Sequence, residues 1–321
     1  AYVAYGSDGL VLIDATTTKD PAIVADMSMS GATRMAGSGN TLYVSVYNSV
    51  TQIPLQVVNI ADPLHPLISA VINVSGFAND MQIVGNVAFL ADSPWGLQTV
   101  DLASGSILSQ STEVSGGPAV GLAVAGNTAF LANRDGFVVV DISNPSAPST
   151  IGRISTKKDA RGIIVDGLLA YVAQGQDGIG IFDIGNAQNP QPLKSFAPSA
   201  IATGAYDLTK VGNLLYIANG AAGLTIVDVT NPVAPNVLAN TNTSNTSNDY
   251  ALKVALDGAI AYVANSYAGV KIFDVTVPTK PVLIGQIRTA GDVVDIHIIG
   301  NYVYIADQTG ISVIRATRQA L

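Results

Sequence analysis

Cysteine is absent from this 321-residue chain, and histidine occurs only twice. The lack of thiols excludes disulfides, iron–sulfur clusters, covalently attached haem and cysteine nucleophiles. Two histidines leave almost no material for a histidine-based metal site. We therefore predict neither a metal nor a cofactor, and the available chemistry is that of carboxylates, hydroxyls and backbone groups.

Charge is also scarce in this sequence. Only 12% of the residues are charged, with 15 Lys+Arg against 23 Asp+Glu and a net charge of −8. An acidic chain without basic clusters excludes nucleic acid as the expected partner. Gly, Asn, Asp or Pro interrupts every apolar run before it reaches the ~18 residues of a membrane-spanning helix. With 48% hydrophobic residues, we expect a folded domain with a large core and no membrane insertion.

A unit of about 40–46 residues recurs along the whole chain, and such a period is typical of repeat architectures. Each copy has a glycine, a tyrosine-containing apolar run, a glycine-bearing turn, and a second apolar run that ends in a polar residue. That last residue is, in order, Asp14, Asn59, Asp101, Asp141, Asp183, Asp228, Asp274 and Arg315. We therefore predict a single domain over residues 1–321 with eight repeats, of which the first and the last are incomplete.

Each repeat predicts four short strands, named A to D, with glycine or proline in the turns between them. In the fifth repeat they are predicted at 162–165, 169–173, 179–184 and 193–196. Strands B and C are apolar on both faces, which indicates a sheet buried on both sides. Four-stranded antiparallel sheets in this number are typical of an all-β fold, the β-propeller, whose blades stack face to face. We predict eight blades, with seven as the alternative.

Two of these repeats carry a family resemblance. The segments GLTIVDVTNP from Gly223 and GVKIFDVTVP from Gly269 resemble the LVIVD-repeat family, which is named for such a strand C. The resemblance covers essentially the whole chain. It implies a propeller like those of secreted or cell-surface bacterial and archaeal proteins, without shared catalytic residues to carry over. The third repeat departs from the pattern because it lacks the turn prolines, and the eighth departs because Arg315 replaces the aspartate.

Strand A lines the central channel of a propeller, so its alternation predicts which side chains face the channel and which face the core. The apolar residues four and two positions before the A–B turn glycine are assigned to the core. The polar residues assigned to the channel are Arg34, Asp80, Gln82, Asp207, Thr209, Lys253, Asp295 and His297. One interpretation is a channel-mouth hydrolase or lyase that uses the Asp and His residues. The other is a solvated channel without chemistry, and no catalytic residue is assigned.

The B–C turns and D–A loops share one face of a propeller, which we call the loop face. Aromatic residues and arginine gather there, and both are enriched at protein interfaces. The candidates are Tyr47, Trp95, Arg134, Arg161, Tyr206, Tyr250 and Tyr267. A protein or a glycan is the partner expected at this face. The aspartates that end strand C, by contrast, are predicted to accept hydrogen bonds from turn N–H groups.

The two incomplete repeats predict open strand edges. The first repeat has no strand A and the last has no strand D, which leaves the edges at 2–5 and 311–314 without a neighbour. Open edges invite a partner strand. We expect at least one of them to pair with a segment distant in sequence or with a neighbouring molecule, and the second outcome would be self-assembly.

Together these features favour a non-catalytic β-propeller that acts as a binding or structural assembly module. We expect it to be extracellular or at the cell surface, with the periplasm as the alternative. The rival hypothesis is the enzyme at the channel mouth. It is the less favoured of the two because no recognisable catalytic motif occurs.

Overall fold

In the part of the chain that the structure describes, the named elements of regular structure are β-strands, and most of their pairings are antiparallel. The structure, a computed structural model, describes residues 2–5, 9–14, 22–23, 27, 29–47, 53–93, 95–111, 118–156, 159–197, 204–243, 249–289, 291–300, 302–307 and 311–315. Within these ranges no helix is long and apolar enough to cross a membrane.

The first strands are short. They are β1 (Tyr2–Tyr5), β2 (Gly9–Asp14) and β3 (Ala22–Ile23). Blade I follows, with β4 (Ala32–Ser38), β5 (Thr41–Val46), β6 (Ile53–Asn59) and β7 (Leu67–Val74). Blade II has β8 (Phe77–Val84), β9 (Val87–Ser93), β10 (Gly96–Asp101) and β11 (Ser106–Ser111). Blade III has β12 (Ala119–Ala125), β13 (Thr128–Asn133), β14 (Gly136–Asp141) and β15 (Ser149–Ser155).

The second half of the chain repeats this arrangement. Blade IV has β16 (Ile163–Asp166), β17 (Leu169–Ala173), β18 (Ile179–Asp183) and β19 (Gln191–Phe196). Blade V has β20 (Asp207–Val211), β21 (Leu214–Ala218), β22 (Leu224–Asp228) and β23 (Asn236–Thr241). Blade VI has β24 (Lys253–Asp257), β25 (Ile260–Ala264), β26 (Val270–Asp274) and β27 (Val282–Ile287). The last strands are β28 (Asp295–Ile299), β29 (Tyr302–Ala306) and β30 (Ile311–Arg315).

The fold is an all-β β-propeller, and in every blade the strands follow one another in the order A-B-C-D. The strands of the fifth repeat, now blade IV, begin and end within two residues of the predicted positions. The A–B turns explain why these short strands reverse so tightly. Gly126 and Gly167 open two of them with φ of +57°, a conformation that favours glycine and suits a two-residue hairpin turn.

The predicted number of blades is wrong, for eight and for the alternative of seven. The described residues form six four-stranded blades and one further sheet of six strands, in the order β28-β29-β1-β30-β2-β3, which we call the closing sheet. The two incomplete repeats do not build blades of their own, because their strands combine in this single sheet. The expectation that a distant segment pairs with a terminal strand is confirmed, since Tyr2 pairs with Val313.

The tertiary structure divides the chain into two compact units. Unit 1 consists of residues 1–72, 216–226 and 238–321, and unit 2 of residues 73–215 and 227–237. Unit 1 contains the closing sheet, blade VI and most of blade I. Unit 2 contains blades II, III and IV. The strands of blade V are divided between the two.

The core of unit 2 consists of the faces that adjacent blades turn toward each other. Leu97 of blade II and Leu131 of blade III belong to one buried apolar cluster. The next cluster joins blades III and IV, where the rings of Phe137 and Phe182 meet edge to face with their centroids 5.1 Å apart. In unit 1 one cluster includes residues of blade I, blade VI and the closing sheet. In blade III, strands B and C are apolar on both faces because blade II covers one side and blade IV the other.

Candidate functional site

The A strands show the alternation that the sequence predicts. The apolar residues four positions before the turn glycine are buried, as Met81, Leu122, Ile163 and Ile296 illustrate. Their polar neighbours on the same strands lie on the opposite side. The core side of strand A is therefore assigned correctly from the sequence.

In unit 2 two of the predicted channel residues reach the backbone of the next blade. The Asp80 carboxylate accepts a hydrogen bond from the Leu122 N–H at 2.9 Å. Two residues along, the Gln82 side chain accepts one from the Val124 N–H at 2.9 Å and donates one to the Leu122 carbonyl at 3.2 Å. Both side chains thus join the A strand of blade II to the A strand of blade III.

In unit 1 the same pattern joins the closing sheet to blade I. The Asp295 carboxylate accepts a hydrogen bond from the Met35 N–H at 2.8 Å. The His297 ring accepts one from the Gly37 N–H through its Nε2, at 3.1 Å. The positions match those of unit 2, so the polar residues of one A strand bind the backbone of the following A strand in both units.

His297 is held in its neutral form by its surroundings. Burial, and next to it the positive charge of Lys253, lower the pKa of the ring from 6.5 to about 4. A neutral ring whose Nε2 accepts a hydrogen bond carries its proton on Nδ1. The imidazole is therefore an acceptor for a backbone N–H at neutral pH.

The remaining predicted channel residues are half-buried. Arg34 donates to the Thr33 carbonyl at 2.7 Å and to the Val294 carbonyl at 3.4 Å. Asp207 lies against Gly162, the residue just before β16, where an added side chain would meet the Asp207 carboxylate. Thr209 and Lys253 lie on the A strands of blades V and VI. Unit 1 thus brings together Arg34, Lys253, Asp295 and His297, while Asp80, Gln82, Asp207 and Thr209 belong to unit 2.

No metal site is evident in the described part of the chain. Within these ranges, no three side chains of the His, Cys, Asp or Glu type lie close enough to hold an ion. Four of the polar side chains on the A strands accept hydrogen bonds from backbone N–H groups instead: Asp80, Gln82, Asp295 and His297.

Three loop-face candidates of unit 1 are exposed tyrosines. Tyr267 is 67% exposed, Tyr47 48% and Tyr250 38%. Burial raises the pKa of Asp292, which belongs to the following D–A loop, and the neighbouring Tyr267 hydroxyl lowers this pKa in part. The residue before Tyr267, Ser266, has a φ of +45°, where the equivalent turns of blades IV and V have glycine. The turn that carries Tyr267 is therefore held in a conformation that serine rarely adopts.

The loop-face candidates of unit 2 are less exposed, except for Arg134. Trp95 is half-buried, as are Arg161 and Tyr206. The Arg161 guanidinium lies over the Tyr206 ring, 4.3 Å from its centroid, and forms an ion pair with Asp159 at 2.7 Å. The structure thus brings Arg161 and Tyr206 into one cation–π contact, while Trp95 and Arg134 lie in the B–C turns of blades II and III.

The structure also contains polar residues that sequence reasoning missed. Asp92, next to the Trp95 turn, is fully buried, and neither carboxylate oxygen makes a well-formed hydrogen bond. Burial raises the pKa of this carboxyl to about 7, although the nearby N–H groups of Trp95 and Phe77 lower it in part. Its only sequence signal is that it ends an apolar run where blades III to VI have an asparagine or glutamine and the last repeat has Asp307.

Lys271 is a second buried group that the pattern did not reveal. It lies on strand C of blade VI, and its ammonium donates to the Thr243 carbonyl. Asn265 holds the same residue through a bond to that carbonyl at 2.9 Å. Burial lowers the pKa of Lys271, and the charge of Asp249 opposes this effect. The cluster therefore joins strand C of blade VI to Thr243, two residues after the end of β23.

The strand C aspartates have the structural role predicted for them. Asp141 accepts a hydrogen bond from the Ser143 N–H at 2.8 Å, and Asp228 one from the Thr230 N–H at 2.8 Å. Asn59 does the same for the Ala61 N–H at 2.9 Å. These hydrogen bonds, from the side chain and backbone of Ser143 and Thr230, lower the pKa of Asp141 and Asp228. The prediction is therefore confirmed.

A cleft opens between the outer parts of blades III and IV. Its volume is about 590 Å³, and Arg153 and Lys194 line it beside the buried ring of Phe182. Neither of these cations belongs to a recognised motif, so the sequence alone gave no reason to single them out.

Comparison with known proteins agrees with this geometry. Two solved structures share the fold: a chain titled as the computationally designed Ika8 protein, and a chain of the mitotic checkpoint complex. The first superposes with a TM-score of 0.64 at 13% identity over 87% of this chain and 83% of that one. The second has a TM-score of 0.72 at 11% identity over 89% and 87%. At such identities the likeness concerns the fold alone.

Sequence comparison is more specific. No curated protein matches this chain. The LVIVD repeat, however, matches five consecutive segments, residues 116–156, 157–196, 204–243, 249–289 and 290–314. These segments make up more than half of the sequence and coincide with blades III to VI and the last repeat. The chain therefore belongs to the LVIVD repeat family.

Proposed function

We propose that this protein is a non-catalytic recognition module that binds a protein partner through its loop face. The observation that carries the proposal is the hydrogen bonding of the A strands. Asp80, Gln82, Asp295 and His297 each accept a backbone N–H of the next A strand. The polar residues that an enzyme would need are thus part of the contacts that hold neighbouring A strands together.

A specific chemical argument weighs against the channel-mouth enzyme. A general base needs a free lone pair within reach of the proton it removes. The Nε2 of His297 already accepts a hydrogen bond from the Gly37 N–H, and the other ring nitrogen carries a proton. Both oxygens of the Asp295 carboxylate already accept backbone hydrogen bonds, one from the Met35 N–H and one from the Ile296 N–H, so this group is used to hold the backbone.

Exposed tyrosines support recognition at the loop face. Tyrosine offers a large, rigid surface with a polar end, and it is enriched among the residues that dominate binding energy. Tyr267 is the most exposed of the set, its hydroxyl lies beside the Asp292 carboxylate, and the turn that carries it has the unusual backbone of Ser266. A side chain held in place before binding loses less conformational entropy in a complex. We further propose that the module acts outside the cell or at its surface, in keeping with a cysteine-free chain of low charge.

Site-specific photo-cross-linking tests this proposal. A photoreactive amino acid is placed at Tyr267 and, as a matched control, at Val277. Val277 is 55% exposed and lies in the C–D turn at the other end of blade VI. On intact source cells, we expect position 267 to label a defined protein that position 277 does not label.

Competition makes the result decisive. Unmodified chain should suppress the labelling at position 267, and a chain with Tyr267→Ala and Tyr47→Ala should suppress it less. Identical labelling from both positions would contradict the proposal. Labelling that a glycosidase abolishes, without any protein adduct, would show that the ligand is a glycan.

A further inference from the structure

We infer that the hairpins β1–β2 and β29–β30 are alternative occupants of one blade position, and that the hairpin released from it exchanges into the same position of a second copy of this chain. The inference goes beyond the proposed recognition of a protein partner, because it concerns self-association through the closing sheet. It depends on three observations within unit 1.

The first observation is that only one blade position is available. Strand β28 contacts β4 directly, through the bonds from Met35 to Asp295 and from Gly37 to His297. Strands β8 and β12 of two consecutive blades are joined by equivalent bonds. A side chain at Gly37 would collide with Ile299, so the two strands are closely packed. No separate blade therefore fits between β28 and β4.

The second observation is that both hairpins match this position. Residues 1–4 repeat the sequence AYVA of residues 170–173, the B strand of blade IV, and Tyr2 corresponds to Tyr171. In strand β29 the residue that corresponds to Tyr171 is Tyr304. Tyr304 pairs with Val313 of strand C, just as Tyr171 pairs with Ile181 of strand C. In the closing sheet Tyr2 lies beside Tyr304, and Leu12 lies beside Val313, both in parallel. Corresponding residues of the two hairpins thus lie side by side.

The third observation is that these pairings compete. A strand has two hydrogen-bonding edges and can hold one neighbour on each. Val313 nevertheless has three partners, Tyr304, Tyr2 and Leu12. The two edges of β30 therefore cannot serve both hairpins at once, and from this we infer that one hairpin occupies the position while the other is released.

The partner that suits a released hairpin is a second copy of this chain. The blade position next to β28 is identical in that copy. The hairpin can therefore form there the same strand pairings as in its own chain. Exchange of an identical element between two copies has a low energetic cost, because the hairpin forms the same pairings in the second copy as in its own chain. Release of one hairpin within a chain is therefore the step that exchange between two chains requires.

Disulfide trapping in the full chain tests the inference, and the absence of native cysteine makes the result unambiguous. Ile296 pairs with Ile305 of β29. By the correspondence of the hairpins, Val3 takes the place of Ile305 when β1 is the occupant. Paired Cα atoms of antiparallel strands lie about 4.5–5.5 Å apart, within the roughly 4.4–6.8 Å that a disulfide spans. We expect Ile296→Cys to form a disulfide within one chain both with Ile305→Cys and, in a separate variant, with Val3→Cys.

A mixture of single-cysteine chains then tests the exchange. Oxidation of an Ile296→Cys chain together with a Val3→Cys chain should give a disulfide-linked heterodimer. The control replaces Val3→Cys by Val172→Cys, the corresponding residue of blade IV, which pairs with its own Ile163. The control should give no heterodimer. Equal yields in both mixtures, or a disulfide between residues 3 and 296 only within one chain, would overturn the exchange, and no such disulfide at all would overturn the inference as a whole.

Discussion

The Asp295 carboxylate accepts a hydrogen bond from the backbone N–H of Met35, a residue 260 positions earlier in the chain. The bond joins the last A strand to the first, as the bond between Asp80 and Leu122 joins two consecutive A strands. Position for position the two contacts are the same. The same type of hydrogen bond, from an A-strand carboxylate to a backbone N–H of the next A strand, therefore joins neighbouring blades and also joins the last A strand to the first.

The first prediction concerns the contribution of this hydrogen bond between A strands to the stability of the fold. Asp80→Ala leaves the Leu122 N–H without its acceptor, and an unsatisfied buried donor costs about 1–3 kcal/mol. The free energy of unfolding in urea should fall by that amount. Asp80→Asn keeps a carbonyl oxygen at the same place, so its free energy of unfolding should fall by clearly less. Equal losses in the two variants would show that the charge of Asp80, rather than its role as an acceptor, is what matters.

The second prediction concerns pH and His297. Its pKa in the folded chain, about 4, lies below the ordinary 6.5, so the unfolded chain binds the proton more tightly. The contribution of His297 to stability is fully present above about pH 6.5 and is lost as the pH falls toward 4. His297→Gln retains an acceptor for Gly37 but does not titrate. Its unfolding free energy should depend less on pH in this window, as measured by denaturation at several pH values.

The other histidine provides the control for this experiment. His65 lies in an exposed turn, with 77% of its side chain accessible. His65→Gln should therefore change the pH profile far less than His297→Gln. The assignment to His297 would be contradicted if both variants kept the slope of the wild type.

The third prediction concerns Asp92 and has the opposite sign. Burial raises its pKa from 3.8 to about 7, so the folded chain binds this proton more tightly than the unfolded chain. The loss of stability caused by ionising the buried Asp92 carboxyl is absent below about pH 4, grows as the pH rises, and is complete above about pH 7. Asp92→Asn removes the ionisation and should stabilise the chain at pH 8 by on the order of 2–4 kcal/mol. Melting curves of this variant and the wild type at pH 5 and pH 8 should differ most at pH 8.

The fourth prediction concerns the turns after strand C. Asp228→Ala removes the acceptor of the Thr230 N–H and should lower the melting temperature by a few degrees. Asp228→Asn should keep most of the stability, because Asn59 already performs this role for Ala61 in blade I. Thermal unfolding followed by circular dichroism compares the two. A loss of partner binding by Asp228→Ala at an unchanged melting temperature would mean that the residue is part of a site.

Several features followed from the sequence because they depend on neighbours along the chain. The repeat showed where strands begin and end, and β17 lies at the predicted residues 169–173. Alternation along strand A identified Met81 and Leu122 as core residues. The turn after Asp141 was predicted correctly, because an aspartate and the N–H two residues later are always close. Local geometry alone determines each of these.

The blade count and the partners of the polar residues depended on the tertiary structure. Whether two incomplete repeats build two blades or share one sheet is decided by the packing of β28 against β4, and residues 260 positions apart make that contact. The burial of Asp92 and the acceptor role of His297 likewise follow from which strand lies opposite them. The sequence by itself determined the repeat, the strands and the family of this protein. Only the tertiary structure decided which repeat is the neighbour of which, because the energy of a hydrogen bond or a buried charge depends on distances in space and not on separation along the chain.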